Sequence, residues 1–246
     1  ETVVHEDNGE DIPEEFDARK RWPKCESIGE IREQSACGSC WAVSSASAMS
    51  DRVCIASNQK NQLRISASDL MSCCSKCGGG CGGGDIDKPW EYWRTDGIVS
   101  GGGYNSSVGC KPYPFPVCDH HINGSFNPCQ GRYPTPPCET VCDKNSKLDY
   151  KKDKHYGKSA YTLPQDIRQY QLEIMKNGPV VSSFTMFHDF LSYKSGVYIH
   201  NTDHRCGLHA VRIIGWGVEN KLPYWLVTNS WNERWGDKGL FKVLRG

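Results

Sequence analysis

The stretch QSACGSCW, Gln34 to Trp41, places two cysteines three residues apart ahead of a tryptophan. A Cys-x-x-Cys pair works as a redox dithiol when it follows a strand in a βαβ unit. No parallel-strand pattern surrounds this one. Instead Ala42, Ala46, Met49, Val53 and Ala56 follow at alternating spacings of four and three, so Cys40 opens a helix with that set on one face. A cysteine there meets unpaired backbone N–H groups and the positive end of the helix dipole, both of which favour a thiolate.

Around this helix, the first half reads as helices between glycine- and cysteine-rich loops. Ser66 and Asp69 form a capping-box pattern before Leu70 and Met71, and Asp87-Lys-Pro89 opens a helix that Gly97 closes. From Cys110 to Cys142 the chain is rich in Pro, Cys, Gly and Asn without periodicity, and so long a loop is usually functional. A further helix, with Ile167, Tyr170 and Ile174 on one face, ends at Asn177-Gly178-Pro179. Then the texture changes. VVSSFTMF, LHAVRIIGWG, YWLVTNSW and GLFKVLR are β-branched, aromatic and separated by turn residues, which predicts an antiparallel sheet. The expectation is therefore an α+β protein of two lobes: helical mainly over 25–110, loop about 110–142, β-rich mainly over 150–246, with a cleft between. Residues 1–11 read as a polar tail or residual pro-segment ahead of a domain spanning 12–246.

Composition limits the function classes. The chain has 246 residues, 14 cysteines and a formal net charge of zero. Such cysteine density points to an oxidising compartment, hence to a secreted or lysosomal protein. Balanced charge predicts neither a nucleic-acid nor a membrane-surface partner, and no apolar run approaches the roughly 18 residues of a membrane span. A chain starting at Glu1 is read as having lost a secretory leader. Asn105 and Asn123 head N-x-S sequons and are candidate glycosylation sites.

A thiolate nucleophile needs a base, the base an orienting group, and the oxyanion formed on attack needs donors. In the strand-rich half His209 in GLHAVR and Asn229 in TNSW supply an imidazole and an amide, while Gln34 supplies a further amide donor. Gln34, Cys37-Gly-Ser-Cys40-Trp41, His209 and Asn229-Ser-Trp231 together resemble the papain-like cysteine proteases. His209 and Asn229 lie further beyond Cys40 than the family's usual ~130–150 residues, and the 110–142 loop accounts for the excess. That loop carries Cys118-Asp-His120-His121-Ile-Asn-Gly-Ser-Phe-Asn-Pro-Cys129 and resembles the occluding loop of the cathepsin B subfamily. FDARKRWPKC, CGGGCGGG, DKHYGK, KNGPV, YKSGVY and GWGVEN extend the likeness from about Phe16 to Gly246.

The resemblance implies a papain-like two-lobed fold and a cysteine endopeptidase with peptidyl-dipeptidase capacity, without cofactor or metal. Cys40 would be the nucleophile, paired with His209 as thiolate and imidazolium, with a thiol pKa near ~3–4. Asn229 would orient the imidazole under Trp231, and Gln34 with the N–H of Cys40 would form the oxyanion hole. Gly83 and Gly84 would bind substrate backbone, and His120 with His121 the C-terminal carboxylate. Leu208 stands where the family usually has glycine and is expected to alter fit. The implied bridges are Cys25–Cys54, Cys37–Cys81, Cys73–Cys138, Cys74–Cys77, Cys110–Cys142 and Cys118–Cys129. Cys206 is left over, read as a small buried hydrophobe in preference to a free thiol beside the site. Partners implied are peptide or protein substrates, the protein's own pro-peptide and cystatin-type inhibitors, with a monomeric enzyme.

Three departures carry expectations. The family's loop is tied by two ion pairs; Glu33 keeps one for His120, but Phe126 and Arg234 occupy the positions of the other. That second tie is expected to be lost, the loop to open more readily and internal cleavage to strengthen. The chain is also read as stopping before the tail that lines the family's second specificity subsite. YWLVTNSWNERWGD resembles a pattern of digestive cathepsin B enzymes from blood-feeding worms, apart from Thr228 and Arg234, which brings in haemoglobin as a substrate. The rival reading, an inactive disulfide-rich secreted binding protein of the same fold, leaves the joint presence of Gln34, Cys40, His209 and Asn229 unexplained. A metal module on Cys73, Cys74, Cys77 and Cys81 lacks two clean ligand pairs.

Overall fold

The helix that begins at Cys40 organises the protein. In the computed structural model, which describes residues 1–6 and 8–246, the elements run β1 (Phe16–Asp17), α1 (Ala18–Arg21), α2 (Glu26–Gly29), α3 (Cys40–Ala56), α4 (Ala67–Cys73), α5 (Lys88–Thr95), α6 (Ile167–Asn177), β2 (Val180–Phe187), β3 (Val197–Tyr198), β4 (Arg205–Glu219), β5 (Leu222–Thr228) and β6 (Leu240–Leu244). Helices fill the first half and strands the second, the α+β order expected.

Helix α3 differs from the one-faced helix of the sequence reading. Every residue from Trp41 to Asp51 is buried, while Val53 is half-buried and Ala56 exposed. Serines survive inside because Ser44, Ser47 and Ser50 return their hydroxyls to the carbonyls of Cys40, Val43 and Ala46 at 2.7, 2.7 and 2.6 Å. The helix can therefore lie between the two lobes.

Ser66 caps α4 by accepting from the N–H of Asp69 at 3.0 Å, but the reciprocal half of the capping box is missing. The N–H of Ser66 bonds the carbonyl of Val99 instead. The buried carboxylate of Asp69 takes the hydroxyl of Tyr150 (2.7 Å) and the ammonium of Lys154 (3.2 Å). In α6 the buried run is Gln171 to Ile174, and Ile167 is exposed. The face is turned by Glu173, whose buried carboxylate meets Arg52 at 2.7 Å, Tyr161 at 2.6 Å and His5 at 2.6 Å. The stretch read as a polar tail is docked at two points: Val3 donates to the carbonyl of Thr162, and Gln169 of α6 bonds both the N–H and the carbonyl of His5. Asp7, within the stretch read as a tail, lies outside the described residues.

The sheet runs β1-β4-β5-β6-β3, with β2 also on β4. Strand β4 pairs antiparallel with β1, β2 and β5, yet the two-residue β3 lies parallel to β6, so the purely antiparallel expectation is corrected at one edge. One core gathers Trp41, Ala46, Met49, Leu70, Met71 and Trp93 around α3. A second packs Phe190, Tyr193, Trp216, Trp231, Trp235 and Phe241 against the sheet.

Six disulfides join Cys25–Cys54, Cys37–Cys81, Cys73–Cys138, Cys74–Cys77, Cys110–Cys142 and Cys118–Cys129. All four sulfurs of the imagined metal module are thus bridged. The Cys110–Cys142 bridge anchors both ends of the irregular loop and reduces the disorder it would otherwise have when unfolded. Among the described residues no helix is long and apolar enough to cross a membrane.

Candidate active site

Two elements meet at the cleft, the N-terminus of α3 with Cys40 and the centre of β4 with His209. Arg212, three residues after His209, holds them in register from within the seam. Its guanidinium donates to Asp51 of α3 (2.7 Å), to Thr228 of β5 (3.0 Å) and to the carbonyls of Ser27, Ile28 and Glu30 (2.9, 3.1 and 3.0 Å). Both Arg212 and Asp51 are fully buried. Nothing in a periodicity argument singles them out, although an arginine inside an otherwise apolar strand is a visible signal.

His209 is buried, and its Nε2 lies 2.8 Å from Oδ1 of Asn229. That oxygen can only accept, and it also accepts from the N–H of Ser230 at 2.8 Å. Nε2 therefore carries the ring proton and Nδ1 is left as the basic nitrogen. Trp231 covers the pair, its ring 5.0 Å from that of His209. The amide nitrogen of Asn229 is buried without a partner.

Burial pushes the half-buried Cys40 thiol up, against backbone hydrogen bonding at Ala210, Trp41 and Cys40 itself. It also lowers His209 to about 4, despite the bond from Asn229. A lone charge on either group is thus opposed, so the thiolate expected at Cys40 depends on its pairing with the His209 imidazolium. Moving the proton from sulfur to Nδ1 makes both charges together, and their attraction, with the dipole of α3, offsets that opposition. In a Cys40→Ala variant, where the partner is gone, His209 should titrate near 4 by NMR, not near 6.5. Because the unfolded imidazole binds its proton more readily, stability should hold above about pH 6.5 and fall by about 3 kcal/mol as pH drops towards 4. A titration near 6.5 would contradict this.

Gln34 is buried and doubly fixed: its amide donates to the carbonyl of Cys37 at 2.9 Å and accepts from the hydroxyl of Ser230 at 2.6 Å. Across the cleft floor, Gly84 packs so closely on Trp41 that a Cβ would come within 2.6 Å of the indole. Gly83 has φ +107, a conformation costly for other residues. Leu208 is 76% exposed beside His209. Asn105 and Asn123 are both exposed. Cys206 is exposed as well, which corrects its reading as a buried hydrophobe.

The two loop histidines differ. His120 is buried, stacked on Trp231 at 5.5 Å and 2.6 Å from Glu33. His121 is solvent-accessible, edge-on to Trp231 at 5.3 Å, and held below the usual imidazole range by partial desolvation against its neighbours and then by His120 and His188. Asn232, missed in the sequence, links Glu33 (2.5 Å) to the carbonyl of Cys118 (2.9 Å).

The second tie has not vanished; it has been rebuilt. Arg234 lies over the ring of Phe126 at 4.9 Å, bonds Ser125 at 2.5 Å and sits 3.4 Å from Asp119. The last contact is an ion pair without hydrogen-bond alignment, since that carboxylate oxygen has no hydrogen-bond partner. With the arginine on the body, the loop supplies the acid and the aromatic face. The absence of a second tie expected from the sequence is corrected accordingly. Arg234→Ala should raise cleavage of a large folded protein about two- to fivefold over that of a short peptide, the scale of a partly exposed tie. An unchanged ratio would show that Arg234 does not restrain the loop.

Comparison with known proteins agrees with this geometry. The model of the papain family cysteine protease matches residues 12–246. A cathepsin B-like cysteine proteinase of Schistosoma japonicum is 50% identical over 246 residues, covering all of this chain and 72% of the relative. Cathepsin B-like cysteine proteinase 6 of Caenorhabditis elegans is 52% identical over 240 residues, 96% of this chain and 63% of the relative. Among solved structures, proCathepsin B S9 from Trypanosoma congolense superposes with a TM-score of 0.86 at 39% identity, covering this whole chain and 77% of that one. The Cys40 and His209 placement, the fold and these relatives agree, and the chain belongs to the papain family of cysteine proteases.

Proposed function

We propose that Cys40 and His209 hydrolyse peptide bonds through an acyl-enzyme. As the thiol proton passes to Nδ1 of His209, sulfur attacks the carbonyl carbon. The C–N bond then breaks while the imidazolium protonates the leaving amine. Water, deprotonated by the same nitrogen, cleaves the thioester and restores the thiol. Asn229 holds the ring, and the amide of Gln34 with the N–H of Cys40 receives the oxyanion. The observation that carries this reading is the fixed tautomer of His209, which leaves a basic nitrogen for a sulfur at a helix N-terminus.

His121, exposed on a loop that His120 anchors, is assigned to the C-terminal carboxylate of substrates, which favours stepwise loss of dipeptides. Mass spectrometry of products from a free-carboxyl peptide and its C-terminal amide tests the assignment. Dipeptide loss from the free acid alone supports it; equal cleavage of both overturns it. Loss of neither in a Cys40-dependent way would overturn the peptidase mechanism itself. Six disulfides suit a secretory-pathway compartment. Haemoglobin is carried as a protein substrate, and turnover no faster than on unrelated proteins would remove it.

A further inference from the structure

The β2–β4 ribbon ends, just ahead of His209, in the imidazoles of His188, His200 and His204, which the peptidase chemistry leaves unused. Phe187 pairs with Arg205 across a bulge, and the N–H of His188 bonds the carbonyl of His204 at 2.9 Å. The two side chains stack face to face, ring centroids 5.3 Å apart and planes 2° from parallel. His200 folds onto Phe187 at 4.1 Å, and His121 faces His188 from the loop. All four histidines and Arg205 are exposed.

The charges around them are few. Asp189 faces the group with its carboxylate bound to the hydroxyl of Tyr198 (2.7 Å) and the N–H of Asn201 (2.9 Å), and Asp203 sits on the exposed connection into β4. His120 also faces His121, but Glu33 balances it. The free thiol of Cys206 lies near Tyr198. Imidazoles change charge between about pH 5 and 8. With them neutral, two carboxylates outweigh Arg205. With them protonated, the sign reverses, and two stacked cations repel unless an anion lies against both.

We propose that this rim is a pH-switched subsite for acidic side chains of the residues that follow the scissile bond, with His188 and His204 as its specificity-determining pair. The inference rests on the peptidase reading above, because β4 runs from His204 through Leu208 to His209 and His121 marks the same side for the leaving peptide. In acid the rim would attract Asp and Glu; near neutrality it would not.

The test uses internally quenched peptides, amidated at the C-terminus so that no terminal carboxylate engages His121, with Glu or Gln at the first or second position after the cleaved bond. Glutamate is ionised at both pH 5.5 and pH 7.5. The Glu-to-Gln ratio of kcat/KM should rise about two- to fivefold from pH 7.5 to pH 5.5, the scale of exposed ion pairs, and the rise should disappear in the His188→Gln/His204→Gln double variant. A ratio equal at both pH values, or a rise that survives the double substitution, overturns the proposal. Because the readout is a ratio, any change in overall rate cancels. Failure of the Gln peptides to be cleaved in a Cys40-dependent way would instead count against the peptidase mechanism on which the proposal stands.

Discussion

Replacing Cys40 by alanine is expected to lower kcat/KM for any peptide by about 10⁴-fold or more while leaving the fold intact. Cys40 starts α3, where unpaired N–H groups and the helix dipole face its sulfur, and Asn229 fixes His209 with its basic nitrogen free. Without sulfur that nitrogen has only water to activate. The oxyanion donors remain, so the residual rate is that of their positioning alone. Near neutral pH stability should change little, because the side chain is small and half-buried. Substrate affinity should survive as well, which separates loss of chemistry from loss of the site. Steady-state kinetics with a competition binding assay checks both. Residual activity within tenfold of the parent would place the nucleophile elsewhere, Cys206 being the other free thiol.

Arg212→Met is the second large effect, expected to destabilise the protein by about 3–5 kcal/mol. The substitution removes the only cation described against Asp51 by hydrogen bond, along with the donors to Thr228 and to the carbonyls of Ser27, Ile28 and Glu30. Burial already pushes the Asp51 carboxyl up. Losing Arg212 pushes it further, so Asp51 should become protonated and the cost should lessen in acid. Since Arg212 joins β4 to α3, activity should fall more than the folded fraction does, as Cys40 and His209 lose their fixed relation. Denaturation followed by fluorescence at pH 5 and pH 7 measures the first effect. A loss below about 1 kcal/mol would mean that hydration replaces the network.

Much of the site was legible because its chemistry restricts residue type. Few side chains besides Cys40, His209, Asn229 and Gln34 can serve as nucleophile, base, orienter and donor, and they stand in recognisable local frames. The strand segments were legible for a similar reason, since VVSSFTMF matches β2 residue for residue. What escaped depends on partners distant in the chain. The all-round burial of α3 rests on serine back-bonds and on the lobe closing over it. Docking of residues 1–6 rests on His5 finding Glu173. The rebuilt loop tie required Arg234 to meet Phe126, Ser125 and Asp119, a set that no one-for-one comparison with the family's ion pair would suggest. Periodicity carries no information about such encounters.

Of the two free thiols, Cys40 is the one proposed to do the chemistry. Treating the intact protein with substoichiometric iodoacetamide at mildly acidic pH, then mapping the adduct by mass spectrometry while following activity, tests it most directly. Ion-paired with His209, Cys40 should be alkylated ahead of the more exposed Cys206, and activity should fall in proportion to its modification. Preferential alkylation of Cys206, or activity that persists once Cys40 is modified, would rule out Cys40 as the nucleophile.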